Sequence, residues 1–409
     1  MWLSPLAPGV LALALLGAPR SACAQGFLSG PIVFADGHVT LGGNISATIG
    51  SDDPGFFNYT DYEHSALRML RIDLSGAARL AGDHLALVGE LRTENFHDLQ
   101  PYALYVRVRP WSARAFDVGI GRIPPTFGAF ARRLYPSDNP LIGYPLAYQY
   151  LTSLRPDAVP ATADELLRRR GLGWLTRYSI GNAAADHGVP LVSAFRWDTG
   201  VQVHAATASG VWSGTASLTR GTVANPVFHD DNSGPQIAGR LQVNPTAGLV
   251  VGASAARGPF VTSTAARGAV GDGRDREFTQ TAYGADVEYS RGYYLVRGET
   301  IVSEWRLPLV RQPWLTLPLR AVAVAVEGRY KILPGLYAAA RVDHLGFSRI
   351  AGSATTASWD APVWRSEIGV GYSIMRNLIV KASFQHNVRD GGPLKRHENQ
   401  TAAQVVFWF

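Results

Sequence analysis

Apolar and polar residues alternate along most of the chain. In VTLGGNISATI, Val39, Leu41, Ile45, Ala47 and Ile49 alternate with Thr40, Asn44, Ser46 and Thr48. LRIDLSGAARL sets Leu70, Ile72, Leu74, Ala78 and Leu80 against Arg71, Asp73, Ser75 and Arg79, and HLALVGELRTE sets Leu85, Leu87 and Leu91 against Glu90, Arg92 and Glu94. A period of two is the signature of a strand with one apolar and one wet face. A soluble sandwich would alternate in the same way, but length separates the two architectures. These stretches run roughly nine to thirteen residues, enough to cross a bilayer obliquely, where about nine to eleven are needed; sandwich strands average about five to six.

The alternation predicts strands at 38–49, 66–80, 84–95, 101–109, 115–123, 195–207, 211–220, 235–244, 248–257, 277–290, 293–303, 318–330, 335–346, 363–374, 377–388 and 399–409, sixteen in all. The links between them alternate between short (81–83, 208–210, 245–247, 291–292, 331–334, 375–377) and long. A closed barrel with both termini on the short-turn side requires an even count and this order. LGWLTRYSI (172–180) also alternates, but a seventeenth strand would invert every later link, so it is assigned to a loop. The expected fold is all-β, a transmembrane antiparallel β-barrel. Tyr293, Tyr294, Tyr330, Trp364, Tyr372 and Trp408 fall near strand ends, where an interfacial girdle belongs.

The chain ends on TAAQVVFWF, with Ala403, Val405, Phe407 and Phe409 on one face and Gln404 on the other. In water this would be a sticky sheet edge, whereas in a closed barrel it is a lipid-facing row. Phe407 and Phe409 also match the aromatic C-terminal signal that the barrel-assembly machinery of bacterial outer membranes reads.

Composition narrows the class. Charged residues are 17%, mean hydropathy is +0.01, and no run of eighteen apolar residues follows the first twenty-five positions. MWLSPLAPGVLALALLGAPRSACAQG carries an apolar stretch and Ala22-Cys23-Ala24, a small-x-small cleavage site, which makes 1–24 a signal peptide and 25–409 one exported barrel domain. Cleavage removes the single cysteine and with it any disulfide or thiolate metal site. The net charge of +6, reduced to +5 by loss of Arg20, is spread too evenly to suggest nucleic acid.

FDVGIGRIPPTFGAF (116–130), a strand ending in Gly-Arg before a Pro-Phe-Gly turn, resembles a segment of the phosphate-selective porin O/P type family; GYSIMRNLIVKASFQHNVRDG (371–391) followed by TAAQVVFWF resembles its last three strands. The resemblance implies a sixteen-stranded, trimeric porin in the bacterial outer membrane, a water-filled channel in contact with lipid that passes small hydrophilic solutes. It does not carry over phosphate as the solute, since lysines are few: Lys331, Lys381 and Lys395.

The longest link, 124–194, is rich in Tyr, Leu and Pro, a composition that packs rather than stays disordered. The resemblance implies that this third long loop folds into the lumen. Arg132, Arg133 and Arg155, with Asp138 and Asp157, are the candidates for the constriction, the alternative being ordinary loop ion pairs. By strand parity the lumen wall carries Arg71, Arg79, Arg92, Arg107 and Arg109 among Asp73, Glu90 and Glu94. The mixed signs leave open both a mild anion preference and structural pairing.

Enzymatic motifs are missing. GRYKILPG lacks the ending of a phosphate loop, there is no HExxH or GxSxG, and His204 has no partner fixed by spacing. The expectation is a protein with no catalytic residues, metal or cofactor. Two alternatives stay open: a barrel that sheathes a partner such as a cytochrome conduit, and an outer-membrane barrel hydrolase.

Overall fold

The computed structural model describes residues 30–409 except 60–63, 83, 112, 195, 228–230, 233, 273–274 and 309–316. The proposed signal peptide and its cleavage site lie outside the described residues.

Sixteen long strands close into one antiparallel barrel. In chain order they are β1 (Val39–Gly50), β2 (Met69–Arg79), β3 (Leu85–Glu94), β4 (Leu99–Val108), β5 (Phe116–Ile123), β6 (Asp198–Ala206), β7 (Trp212–Thr219), β8 (Gln236–Thr246), β9 (Leu249–Pro259), β10 (Thr279–Arg291), β11 (Tyr294–Arg306), β12 (Leu319–Leu333), β13 (Leu336–Phe347), β14 (Val363–Met375), β15 (Leu378–Arg389) and β16 (His397–Trp408). Each pairs with its neighbours in sequence, and β16 pairs with β1 from Asn44↔Trp408 to Gly50↔Ala402. A short strand, Ile32–Phe34, folds back on β1. Every expected strand is present, and 172–180 lies in a loop.

The closure answers the problem posed by the C-terminus. Phe409 exchanges both backbone hydrogen bonds with Gly43, at 3.0 Å each. Its ring lies over Gly43, where a Cβ would come within 2.7 Å of the ring edge, so a larger residue here would push the Phe409 ring aside. Trp408 corrects the girdle expectation: it shares parity with Gln404 and Val406, faces inward and packs against the cluster of Leu141, Tyr337 and Val406. Tyr294, Tyr330, Trp364 and Tyr372 are 43–59% exposed on the outer face, and Tyr293 is 65% exposed in the turn before β11.

Outward positions form an apolar belt that includes Ile49, Leu87, Ile120, Val203, Val324 and Val405, each 37–74% exposed. In a bilayer this is the proper solvent for them, and closure of the ladder removes the open sheet edge that lipid would not tolerate. Val324 and Ala325 of β12 stand on opposite faces. Val324→Arg should therefore cost about 2–4 kcal/mol in unfolding free energy, as a charge on the lipid face does. Ala325→Arg, beside Asp343 and Glu299, should cost far less, and denaturant titration of micelle-folded protein distinguishes the two.

The long links gather at the end of the barrel opposite the termini. There the inward wall positions turn apolar, with Ile301, Trp305, Leu319, Ala321, Leu345 and Val363 all buried. These residues form one core with Tyr148, Leu154, Leu166, Tyr178 and Leu191 of the long loop. Loop side chains of this size contribute roughly 1.5–3 kcal/mol each when taken from water, and the wall shields them from lipid. Folding inward is the way to bury them.

Candidate functional site

The segment between Ile123 and Asp198 enters the lumen. It contains a 3-10 turn (Phe130–Arg133), a helical turn α1 (Leu146–Gln149), a two-stranded hairpin (Ala158–Val159 with Ile180–Gly181) and α2 (Ala163–Leu167), capped by Thr162. Residues 127–150 cross the barrel at membrane depth, between walls half a barrel apart. On one side Glu299 of β11 accepts from the Ala129 amide and the Tyr148 hydroxyl, both at 2.7 Å, and Ser254 of β9 accepts from Gly128. On the other, Asn44 of β1 donates to Ser137 at 2.8 Å, Tyr135 donates to Glu90 of β3, and Lys381 of β15 donates to the carbonyls of Pro136 and Asn139. Between them Tyr337 of β13 donates to the Pro140 carbonyl at 2.9 Å and Arg365 of β14 to the Tyr144 carbonyl at 3.1 Å.

Beneath the loop runs a ladder of alternating charge. Glu288, Arg297, Glu327, Arg341 and Glu367 occupy one register row across β10 to β14. Their contacts are Arg297 to Glu288 at 2.9 Å, Arg297 to Glu327 at 3.1 Å, Arg341 to Glu327 at 3.2 Å and Arg341 to Glu367 at 2.7 Å, with Asp343 a further 3.0 Å partner of Arg341. Direct cross-strand opposition of unlike charges stabilises a sheet pair. Both ends of the row reach the loop: Arg133 pairs with Glu288, and Glu367 accepts from the Gly143 amide at 2.9 Å. A Cβ at Gly143 would meet the Gln385 and Glu367 side-chain ends closer than 3 Å, so a larger residue would have to displace them.

The wall charges singled out from strand parity do point inward, but most do not meet open water. Arg71, Asp73, Glu90, Arg92 and Glu94 are 0–6% exposed. Arg71 and Arg92 both pair with Asp73, Arg92 also with Glu90, and the Arg92 guanidinium sits 3.3 Å from the centre of the Tyr102 ring. Of the two readings, these residues fit the structural one: they form the seat on which the loop rests. Arg107 and Arg109 keep partial exposure toward the short-turn end, Arg109 within 3.9 Å of Asp117, and Arg79 is exposed at that rim.

The constriction candidates divide. Arg133 stays 26% exposed beside Glu288 (21%) and Arg297 (20%), and Asp138 is exposed on the same stretch of loop. Arg155 is only 1% exposed. It holds Asp157 through two bonds of 2.9 and 2.7 Å and donates to the Thr176 and Ala184 carbonyls, so Arg155 ties the loop to itself and its charge is closed off, while the Asp157 side chain stays 33% exposed. Burial pushes the Asp157 carboxyl up, but hydrogen bonds from Arg155 and Asn182 outweigh it and hold the group below the usual range. The Arg132 side chain lies outside the described residues.

Reasoning from sequence missed the ladder row. Its signal was there in charges of alternating sign at matched heights on successive strands. It also missed Asp360, fully buried in the link before β14, which accepts from the amides of Ser153 and Gly171 at 2.6 and 2.7 Å and so fastens the outer half of the loop. His204 is 3.0 Å from the Thr215 hydroxyl and opposite Asp117 in register. No group of His, Cys, Asp and Glu among the described residues is arranged to hold a metal.

No protein-family model matches the chain. No curated protein sequence matches it. Solved structures do match over nearly their whole length. The OmpF complex with daunomycin from Salmonella typhi aligns at 12% identity over 93% of this chain and 100% of that one, with a TM-score of 0.56. The outer-membrane channel DcaP of Acinetobacter baumannii aligns at 12% identity over 93% and 100%, TM-score 0.54. An anion-selective porin from Comamonas acidovorans aligns at 10% identity over 91% and 99%, TM-score 0.53. The chain has the barrel fold of the outer-membrane porins.

Proposed function

We propose that this chain is an outer-membrane channel for the passive diffusion of small hydrophilic solutes and ions, narrowed by the loop at 127–150. One observation carries the reading. Arg133, Glu288, Arg297 and Asp138 retain exposure inside a barrel whose outer face is apolar. Ionised groups exposed at membrane depth require water around them, so the lumen at the loop's edge holds a wet passage. The short turns then face the periplasm and the long links the outside. Removal of 1–24, insertion by the assembly machinery and the homotrimer implied by the O/P-type resemblance belong to the same proposal. The conduit alternative loses support from a lumen crossed by a fastened loop.

At the narrowing, among the described side chains, Arg133 and Arg297 face Glu288 and Asp138, a balance that favours weak selectivity. Arg107, Arg109 and Arg329, half-buried toward the short-turn end, tilt it toward anions. Asp138→Asn should raise anion over cation permeability and Arg297→Ser should lower it, read as opposite shifts of reversal potential in a salt gradient. Proteoliposome swelling in small sugars tests the channel itself: swelling whose rate falls with solute size supports it, and none from correctly folded protein refutes it.

A further inference from the structure

On the short-turn side of the charged row the inner wall loses its side chains. There β13 and β14 present Ala339, Gly369 and Gly371 to the lumen. The slot they leave is filled by Leu141 of the loop and by the ring of Tyr337. A Cβ at Gly369 would come within 2.9 Å of the Leu141 side chain, and one at Gly371 within 2.3 Å of the Tyr337 ring. From this slot Tyr337 reaches two ways. Its hydroxyl donates to the Pro140 carbonyl of the loop at 2.9 Å, and the Arg329 guanidinium of β12 lies over its ring, 5.7 Å from the centre. Arg329 is half-buried and makes no ion pair among the described residues. Two positions away on the same face of β12 is Glu327, whose carboxylate is taken by Arg297 and Arg341.

We propose that Tyr337 is a positioning residue for both parts of the narrowing: its hydroxyl fixes the loop at Pro140, and its ring holds the Arg329 charge in the lumen, away from Glu327. A cation over an aromatic face at a wet site is favoured about two- to fivefold over its free positions. The ring, unlike a carboxylate, leaves that charge uncancelled, so a passing anion still meets it. Without the ring the guanidinium turns to the nearest carboxylate, Glu327, and its charge is compensated there. An uncharged side chain thereby sets both the width of the passage and part of its anion preference. The consequence for conduction rests on the channel reading, whereas the two contacts of Tyr337 do not.

Tyr337→Phe and Tyr337→Leu separate the two roles, read first by NMR of the micelle-folded barrel. Tyr337→Phe should speed hydrogen exchange of the Gly143 amide about fivefold, the effect of one lost hydrogen bond near it, and leave the Arg329 Nε resonance at its ring-shifted position. Tyr337→Leu should speed the same exchange and also remove the ring shift. Gly371→Ala, whose new methyl displaces the ring while Tyr337 itself is kept, should move both signals together and serves if Tyr337→Leu does not fold. In planar bilayers Arg329→Gln should shift the reversal potential toward cations in the wild type and in Tyr337→Phe, and by much less in Tyr337→Leu or Gly371→Ala. An Arg329 resonance that ignores both ring variants, Gly143 exchange unchanged in Tyr337→Phe, or equal shifts from Arg329→Gln in every background overturns the proposal. Altered NMR signals in a barrel that conducts nothing would instead uphold the two contacts and reject the channel reading.

Discussion

Arg341→Met should lower the unfolding free energy of the micelle-folded barrel by about 3–5 kcal/mol, the cost of leaving buried charge without its partner. Arg341 has no exposure and lies between Glu327, Asp343 and Glu367. Its removal takes the paired cation from Asp343 and Glu367 under the loop, while Glu327 keeps Arg297 and Glu367 keeps the Gly143 amide. The rim pair of Arg320 and Glu304, with side chains 56% and 26% exposed, is the control: Arg320→Met should cost less than about 1 kcal/mol. Denaturant titration followed by tryptophan fluorescence reads both. Adding Glu367→Gln to Arg341→Met should recover part of the loss, since fewer buried charges remain unpaired. Equal effects at the two arginines would mean that the ladder is hydrated rather than buried.

The second large effect concerns the loop. Replacing Tyr135–Gln149 by a flexible Gly-Ser linker should raise single-channel conductance several-fold and, because the widened passage no longer forces ions past Arg297, shrink the selectivity shift of Arg297→Ser. The barrel should survive the replacement. Its strands pair with one another from β1 to β16 without using any loop backbone, and an unchanged shift in gel mobility on heating confirms that. The wall charges uncovered by the change, Arg71, Asp73, Glu90 and Arg92, already pair among themselves, so they can be rehydrated as pairs. Unaltered conductance in a folded variant would show that the loop does not narrow the passage.

The strands were legible because lipid outside and water or polar side chains inside impose a strict period of two on a long stretch, and the alternation of short and long links set the count. Legibility failed where a wall residue faces neither lipid nor water. Ala321 and Ala323, opposite Val322 and Val324, read as a strand apolar on both faces; their small inward side chains make room for the loop core. The inward direction of Arg71, Arg92 and Glu90 could be read from parity, but their burial could not, because it depends on Tyr135 and Tyr144 arriving from a segment far along the chain. Of the two readings of Arg155, the loop ion pair with Asp157 is the one that fits, and sequence could not decide between them because the chain path through Thr176 and Ala184 is what closes the guanidinium off. Trp408 shows that an aromatic at a strand end joins the girdle only when its parity is outward.

Whether a wet passage runs past the edge of the folded-in loop is decided by single-channel recording in planar bilayers of the protein from Gln25 onward. Discrete, near-ohmic steps in symmetric salt and a small reversal potential of anion sign in a salt gradient are expected. Heat-modifiable, membrane-inserted protein that conducts nothing, both as wild type and with Tyr135–Gln149 replaced, would contradict it.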